Sequence, residues 1–85
     1  LITFFTCGPK EAHAWPIRKG ISVREAAGEI HSDLQRGFIC AEVFNCQDLF
    51  DGGSIAKLKE TGKIRTEGQD YVVCDGDIIV VRFNV

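Results

Sequence analysis

Methionine is absent from these 85 residues, and the chain opens on Leu1. An internal start is expected, in a piece of a longer protein, and no signal peptide is expected. No apolar run approaches the roughly 20 residues that span a bilayer, so no membrane partner is expected. An excess of positive charge is also lacking. The formal net charge is −2, which argues against a uniformly basic nucleic-acid binder and leaves only local patches for such contacts. The four cysteines, Cys7, Cys40, Cys46 and Cys74, fall into no C-x-x-C spacing. They are expected to be reduced thiols of a cytoplasmic protein, with a disulfide or metal site as the lesser reading. No G-x-x-x-x-G-K-[ST] loop is present to cradle a phosphate. Internal repeats and low-complexity segments are lacking too.

What is present is an apolar fraction of 45%, enough for a folded core of modest stability. The clearest local signal runs from Ser22 to Val43. Ser22 and Glu25 have capping-box spacing, with the Ser22 hydroxyl accepting from the Glu25 N–H and the Glu25 carboxylate reaching back. Val23, Ala26, Ala27, Ile30 and Leu34 recur with helical period, predicting one continuous helix. Glu25, Glu29 and Asp33 are placed mostly toward water. Arg36 suits the last turn, and Gly37 is placed as a left-handed stop. Gly28, unfavourable inside a helix, points to a close approach to a sheet.

Leu1 to Thr6 and Glu11 to Arg18 read as strands joined by a turn at 7–10, with Pro16 placing the second at an edge or at a bulge. Phe38 to Phe44 reads as a third strand. Residues 45–53 read as loop. A short helix follows, capped by Ser54, carrying Ile55 and Leu58 inward and stopped by Gly62. Residues 63–68 read as loop, and Asp70 to Val73 as a short strand. A tight turn falls at Cys74-Asp75-Gly76-Asp77. Ile78 to Phe83 reads as a central strand. This order implies an α+β fold of the β-grasp, ubiquitin-like kind over residues 1–85, a mixed sheet crossed by one main helix with a short second one.

At this point the residues resemble a known family. Ala14-Trp15, Arg18-Lys19-Gly20, Ala27-Gly28-x-Ile30-His31-Ser32-Asp33, Gly37-Phe38-Ile39-x-Ala41-Glu42-Val43, Gly62-Lys63, Tyr71-Val72-Val73-x-Asp75-Gly76-Asp77-Ile78 and Phe83-Asn84-Val85, in that order, resemble the TGS domain that closes YchF-type, Obg-like ATPases. The resemblance implies a C-terminal domain in a longer cytosolic protein with a P-loop domain. ATP or GTP with magnesium would be bound in that other part, and no cofactor in this chain. It also implies association with ribosomes and translation, and a regulatory or RNA- and ligand-binding role for the TGS domain. Departures from the family's pattern fall at His13, Pro16, Leu34, Gln69, Asp70 and Cys74. The resulting scarcity of positive charge at 67–70 argues against a nucleic-acid surface there.

No catalytic constellation is legible. His31 has no nucleophile or orienting partner in the sequence and is placed at the helix end as a contact residue. Gly52-Gly53-Ser54 is read as capping before anion binding, and Asp75 and Asp77 as turn residues before cation ligands. His13 is read as a surface strand residue. Trp15 is either a packing aromatic or an exposed stacking platform. Two basic clusters remain, Arg18, Lys19 and Arg24 around the turn into the helix, and Lys57, Lys59, Lys63 and Arg65 around the short helix. With His31 and Arg36, these nine are the candidate residues for RNA or partner contact. The alternative is a solvated basic face. The expected chain is a non-catalytic, monomeric docking or regulatory module that meets RNA, the ribosome or the parent nucleotide-binding domain. Rival readings are the TGS domain of threonyl-tRNA synthetase or of a stringent-response enzyme, and, in other classes, a β-grasp sulfur carrier or ferredoxin. The carrier needs a terminal Gly-Gly where this chain has Asn84-Val85. The ferredoxin needs C-x₄-C-x₂-C, which Cys40 and Cys46 do not supply.

Overall fold

The structure is a computed structural model that describes residues 1–7, 12–45, 47–48 and 55–84. The elements are β1 (Ile2–Cys7), β2 (Ala12–Ile17), α1 (Val23–Ile30), α2 (Ser32–Arg36), β3 (Phe38–Asn45), α3 (Ile55–Glu60), β4 (Arg65–Glu67) and β5 (Asp77–Phe83). The strands form one sheet in the order β2-β1-β5-β3-β4. The β1/β5 contact at its centre is parallel, and the other pairs are antiparallel. This is the expected α+β, β-grasp arrangement. The turn at 7–10 falls largely outside the described residues, as do Gly52, Gly53 and the capping Ser54.

The long apolar run of β5 is explained by its central place. Ile78 and Ile79 are both 2% exposed, yet neighbours in a strand point to opposite faces. Ile79 joins Phe4, Ile17, Val23, Ala26, Ala41, Val43 and Val73 beneath α1. Ile78 joins Phe44 and Leu58 on the opposite face, beneath α3. Among the described residues one sheet therefore divides two apolar clusters, the larger beneath α1. Pro16 lies on the edge strand β2, opposite Thr3, where its missing N–H costs no ladder bond.

The predicted single helix is two helices. His31 has extended backbone (φ −164°, ψ 141°), and its N–H closes α1 on the Ala27 carbonyl at 3.1 Å. Its Nδ1 then accepts from the Asp33 N–H at 3.0 Å, capping α2 as an Asn or Asp oxygen would. Hydrophobic period does not register one extended residue, because Ile30 and Leu34 still face the same way. At the start of α1 the Ser22 hydroxyl accepts from the Glu25 N–H at 3.3 Å as expected. The Glu25 carboxylate instead meets the Ser22 hydroxyl at 3.4 Å. The close approach at Gly28 is to the Gln35 side chain of α2, 2.5 Å from where a Cβ would stand, and not to the sheet.

Gly37 is not the left-handed stop that its position predicted, since its φ is −97°. It is needed because a Cβ there would be driven into the backbone carbonyl of Asn84. The Asn84 N–H donates to the Gly37 carbonyl at 2.9 Å, so this backbone cannot swing aside as a side chain would. Gly37→Ala is expected to cost about 1–3 kcal/mol by overpacking. The readout is a lowered urea midpoint with an unchanged slope, and an unchanged midpoint would show that the end of β5 yields freely.

Three further expectations are corrected. Residues 63–68 are not all loop, because Arg65–Glu67 pairs with β3 as the edge strand β4. Its polarity hid it, as an edge strand needs little apolar surface. Asp70 to Val73 is not a strand of the sheet. It is a strap across the entrance to α1, with a single bridge from Val72 to Ser22. In the predicted loop 45–53, the described Gln47 and Asp48 are helical, and Asn45 Oδ1 accepts from the Gln47 N–H at 2.7 Å. Gly62 does stop α3, at φ +71°. Lys63 N–H to Leu58 O (3.0 Å) and Gly62 N–H to Lys59 O (3.2 Å) form a Schellman closure.

Candidate functional site

Few of the nine candidate residues point freely outward. Arg24, on α1, turns its Nε to the Gln35 carbonyl at 3.1 Å and ties α1 to the end of α2. Arg36 pairs with Asp33 at 2.9 Å. His31 is committed to capping α2, with the Asp33 carboxylate 3.7 Å from its Nδ1. Arg65 reaches the Tyr71 hydroxyl at 3.3 Å, and its guanidinium lies 5.4 Å from the centre of that ring. Lys63 lies 3.8 Å from Asp48. Lys57 and Lys59 stand on exposed positions of α3.

The second basic cluster is therefore not one surface. Arg65 is opposite the buried Val43 and points to the α1 face of the sheet, whereas α3 covers the other face. The first cluster loses Arg24 and keeps Arg18 and Lys19, both exposed at the turn between β2 and α1. Neither makes an ion pair or hydrogen bond among the described residues.

A groove opens beside that turn. Its volume is about 510 Å³, its walls are Leu1, Ile2, Val72 and Val73, and Lys19 and Asp75 stand at its rim. Val72 is 51% exposed there. Asp75 is partly engaged, since its Oδ1 accepts from the Thr3 N–H at 2.9 Å. With Gly76 at φ +84° and its N–H on the Thr3 carbonyl at 2.8 Å, this turn clamps the strap to β1.

Sequence reasoning missed the polar network beneath the strap. Asp77, 3% exposed, takes the Tyr71 O–H at 2.6 Å and the Cys74 N–H at 2.9 Å on one oxygen, Oδ2. Burial, then the bond to Asp77, pushes the Tyr71 phenol well above its ordinary range. The hydrogen bond to Tyr71 holds Arg65 still more firmly protonated. The available signal was the chain's one tyrosine six residues before an aspartate, since a buried phenol needs a partner.

Trp15 resolves as a packing residue. It is half-buried against the main core and donates its indole N–H to Thr6 Oγ1 at 3.0 Å. Cys40 and Cys74 are free thiols. Among the described residues no group of three or more His, Cys, Asp or Glu is placed to hold a metal ion, and no helix is long and apolar enough to cross a membrane.

Comparison with known proteins agrees with this geometry. The model of the family YchF-GTPase_C, described as "Protein of unknown function (DUF933)", matches residues 1–84. "Ribosome-binding ATPase YchF" of Bacillus subtilis (strain 168) is 54% identical over 85 residues, which are 100% of this chain and 23% of that protein. "Obg-like ATPase 1" of Gallus gallus is 53% identical over 81 residues, 95% of this chain and 20% of that protein. Among solved structures, that of the Schizosaccharomyces pombe YchF GTPase superposes with a TM-score of 0.89 at 41% identity, covering 95% of this chain and 21% of that one. The chain thus spans about a fifth of the length of the relatives it matches.

Proposed function

The chain belongs to the family of YchF C-terminal domains, and from that premise we propose that it is a non-catalytic docking and regulatory module of a longer nucleotide-binding protein. The partner surface is the corner formed by Arg18, Lys19 and the adjoining groove, and the partner is the ribosome, its RNA, or the nucleotide-binding domain of the same protein. ATP or GTP with magnesium belongs to that other domain. A ribosome partner is supported by the name of the Bacillus subtilis relative, a ribosome-binding ATPase. The observation that carries the reading is how the polar side chains are used. His31, Asp75, Asp77, Tyr71 and Arg65 all serve the fold, whereas Arg18 and Lys19 are left unpaired beside an open groove.

The test uses the full-length protein. Arg18→Glu with Lys19→Glu is expected to lower the ribosome-bound fraction in low-salt sedimentation several-fold, with the difference shrinking as salt rises. Nucleotide hydrolysis without ribosomes should be unchanged where the ribosome or its RNA is the partner and altered where the nucleotide-binding domain is. Sedimentation equal to wild type at low salt would remove this corner from the proposal. The corresponding reversal of Lys57, Lys59, Lys63 and Arg65 is expected to have the smaller effect, because Arg65 lies on the face of the sheet opposite α3 and Lys63 stands beside Asp48.

A further inference from the structure

The strap beside the groove has an unused strand edge. The Val23 N–H donates to the Tyr71 carbonyl at 2.7 Å, and the Val73 N–H to the Ile21 carbonyl at 3.1 Å. These bonds bracket the Ser22–Val72 bridge, so the backbone groups of Val72 point the other way, off the strap. Among the described residues the Val72 N–H has no acceptor. The Val72 carbonyl receives only the weak Cys74 thiol contact, at 3.8 Å. An exposed strand edge of this kind, with an apolar trough along it, is the structural basis of strand addition.

Charge gives the groove a direction. Lys19 lines the groove beside Gly20, with the exposed Arg18 next to it in the chain, and the one carboxylate of the lining, Asp75, is already held by the Thr3 N–H. Asp70 lies at the other end of the strap. We infer that the groove takes an extended protein segment, added as a strand along Val72, that places an apolar side chain between Ile2 and Val72 and a carboxylate against Arg18 and Lys19. This rests on the docking reading and specifies its partner as an acidic, apolar peptide. A nucleic acid would use the two cations but leave the strand edge and the apolar walls without a role.

Three probes separate the outcomes. They are a capped hexapeptide of alternating valine and threonine with two aspartates at one end, the same peptide with two lysines, and hexauridylate. The aspartate peptide is expected to shift the backbone amide resonances of Val72 and Cys74 in the isotope-labelled chain and to slow exchange of the Val72 amide. Arg18→Glu with Lys19→Glu should weaken that binding about tenfold, as two exposed ion pairs allow. Both positions are exposed, so the variant should fold, with resonances elsewhere in place. Equal binding of the lysine peptide, response to hexauridylate alone, or no shift at millimolar peptide would overturn the inference. Failure of the peptide, with ribosome release by the same double variant in the full-length protein, would sink the peptide partner and leave the docking reading standing. Peptide binding without ribosome release would support the groove and remove the ribosome as the partner at this corner.

Discussion

Asp77→Ala is expected to lower the stability of the chain by about 3 kcal/mol. Stability for a chain this long is about 4–13 kcal/mol, so the loss is a large share. The cost does not come from lost packing. One buried oxygen, Oδ2, takes both the Tyr71 O–H and the Cys74 N–H, so a single truncation removes the acceptor of both donors. Bonds to a charged group are worth about 1.5–3 kcal/mol each, and a stranded buried donor loses its hydration as well. The two are coupled through Tyr71, which itself receives Arg65, so their losses should not simply add. Tyr71→Phe should cost less, about 1–2 kcal/mol, because Asp77 keeps the Cys74 N–H. The two variants also differ at high pH. The Tyr71 pKa is raised in the folded chain, so the folded state holds its proton where the unfolded chain has begun to release it. That stability is fully present below the unfolded value of about 10 and is lost as pH rises toward the folded value. Urea titrations at successive alkaline pH values should show this decline in wild type and a shallower one in Tyr71→Phe. A midpoint for Asp77→Ala within error of wild type would refute the role given to the network.

The contrast between Asp77 and Ile78 shows what could be read without coordinates. The central strand was legible because burial on both faces demands an unbroken apolar run, and Ile78 to Val81 supply one. The edge position of β2 was legible from Pro16 for an equally local reason. Asp77 reads as a turn residue, and the tyrosine six residues before it says only that a buried phenol needs a partner, not that the strap folds it over Asp77. The strap was mistaken for a sheet strand because its composition is strand-like, and what it pairs with is set by the path of the chain. The edge strand β4 failed in the opposite direction, as a polar segment that pairs. Among the candidate site residues, sequence brought like charges together by proximity. Side-chain direction then separated them, sending Arg24 to a helix end and Arg65 to an aromatic ring. Lys19 kept its place, but the groove beside it joins residues from both ends of the chain and had no local signature.

Leu58→Ala should act on the smaller core and, through it, on the second group of cations. Leu58 is 1% exposed and, among the described residues, shares its cluster with two other buried ones, Phe44 and Ile78. A helix as short as α3 has no stability of its own, so it forms because Leu58 is held against the sheet. Truncation removes that hold and leaves a cavity, with an expected cost of about 2–5 kcal/mol. The main core beneath α1 lies on the opposite face and does not contain Leu58. Much of the loss should therefore appear as local opening of α3. The amides of Thr61, Gly62 and Lys63, bonded to carbonyls within α3, report on it directly. Their hydrogen exchange should accelerate far more than that of Val43 or Ile79. A uniform acceleration across the chain would mean that the two cores open together, as one cooperative unit. If local opening is found, the variant also frees Lys57 and Lys59 from a common helix without altering any charge. Ribosome association of the full-length protein should then stay near wild type, because the docking corner at Arg18 and Lys19 belongs to the other core. Release comparable to that of the Arg18→Glu, Lys19→Glu variant would instead move the docking surface to α3.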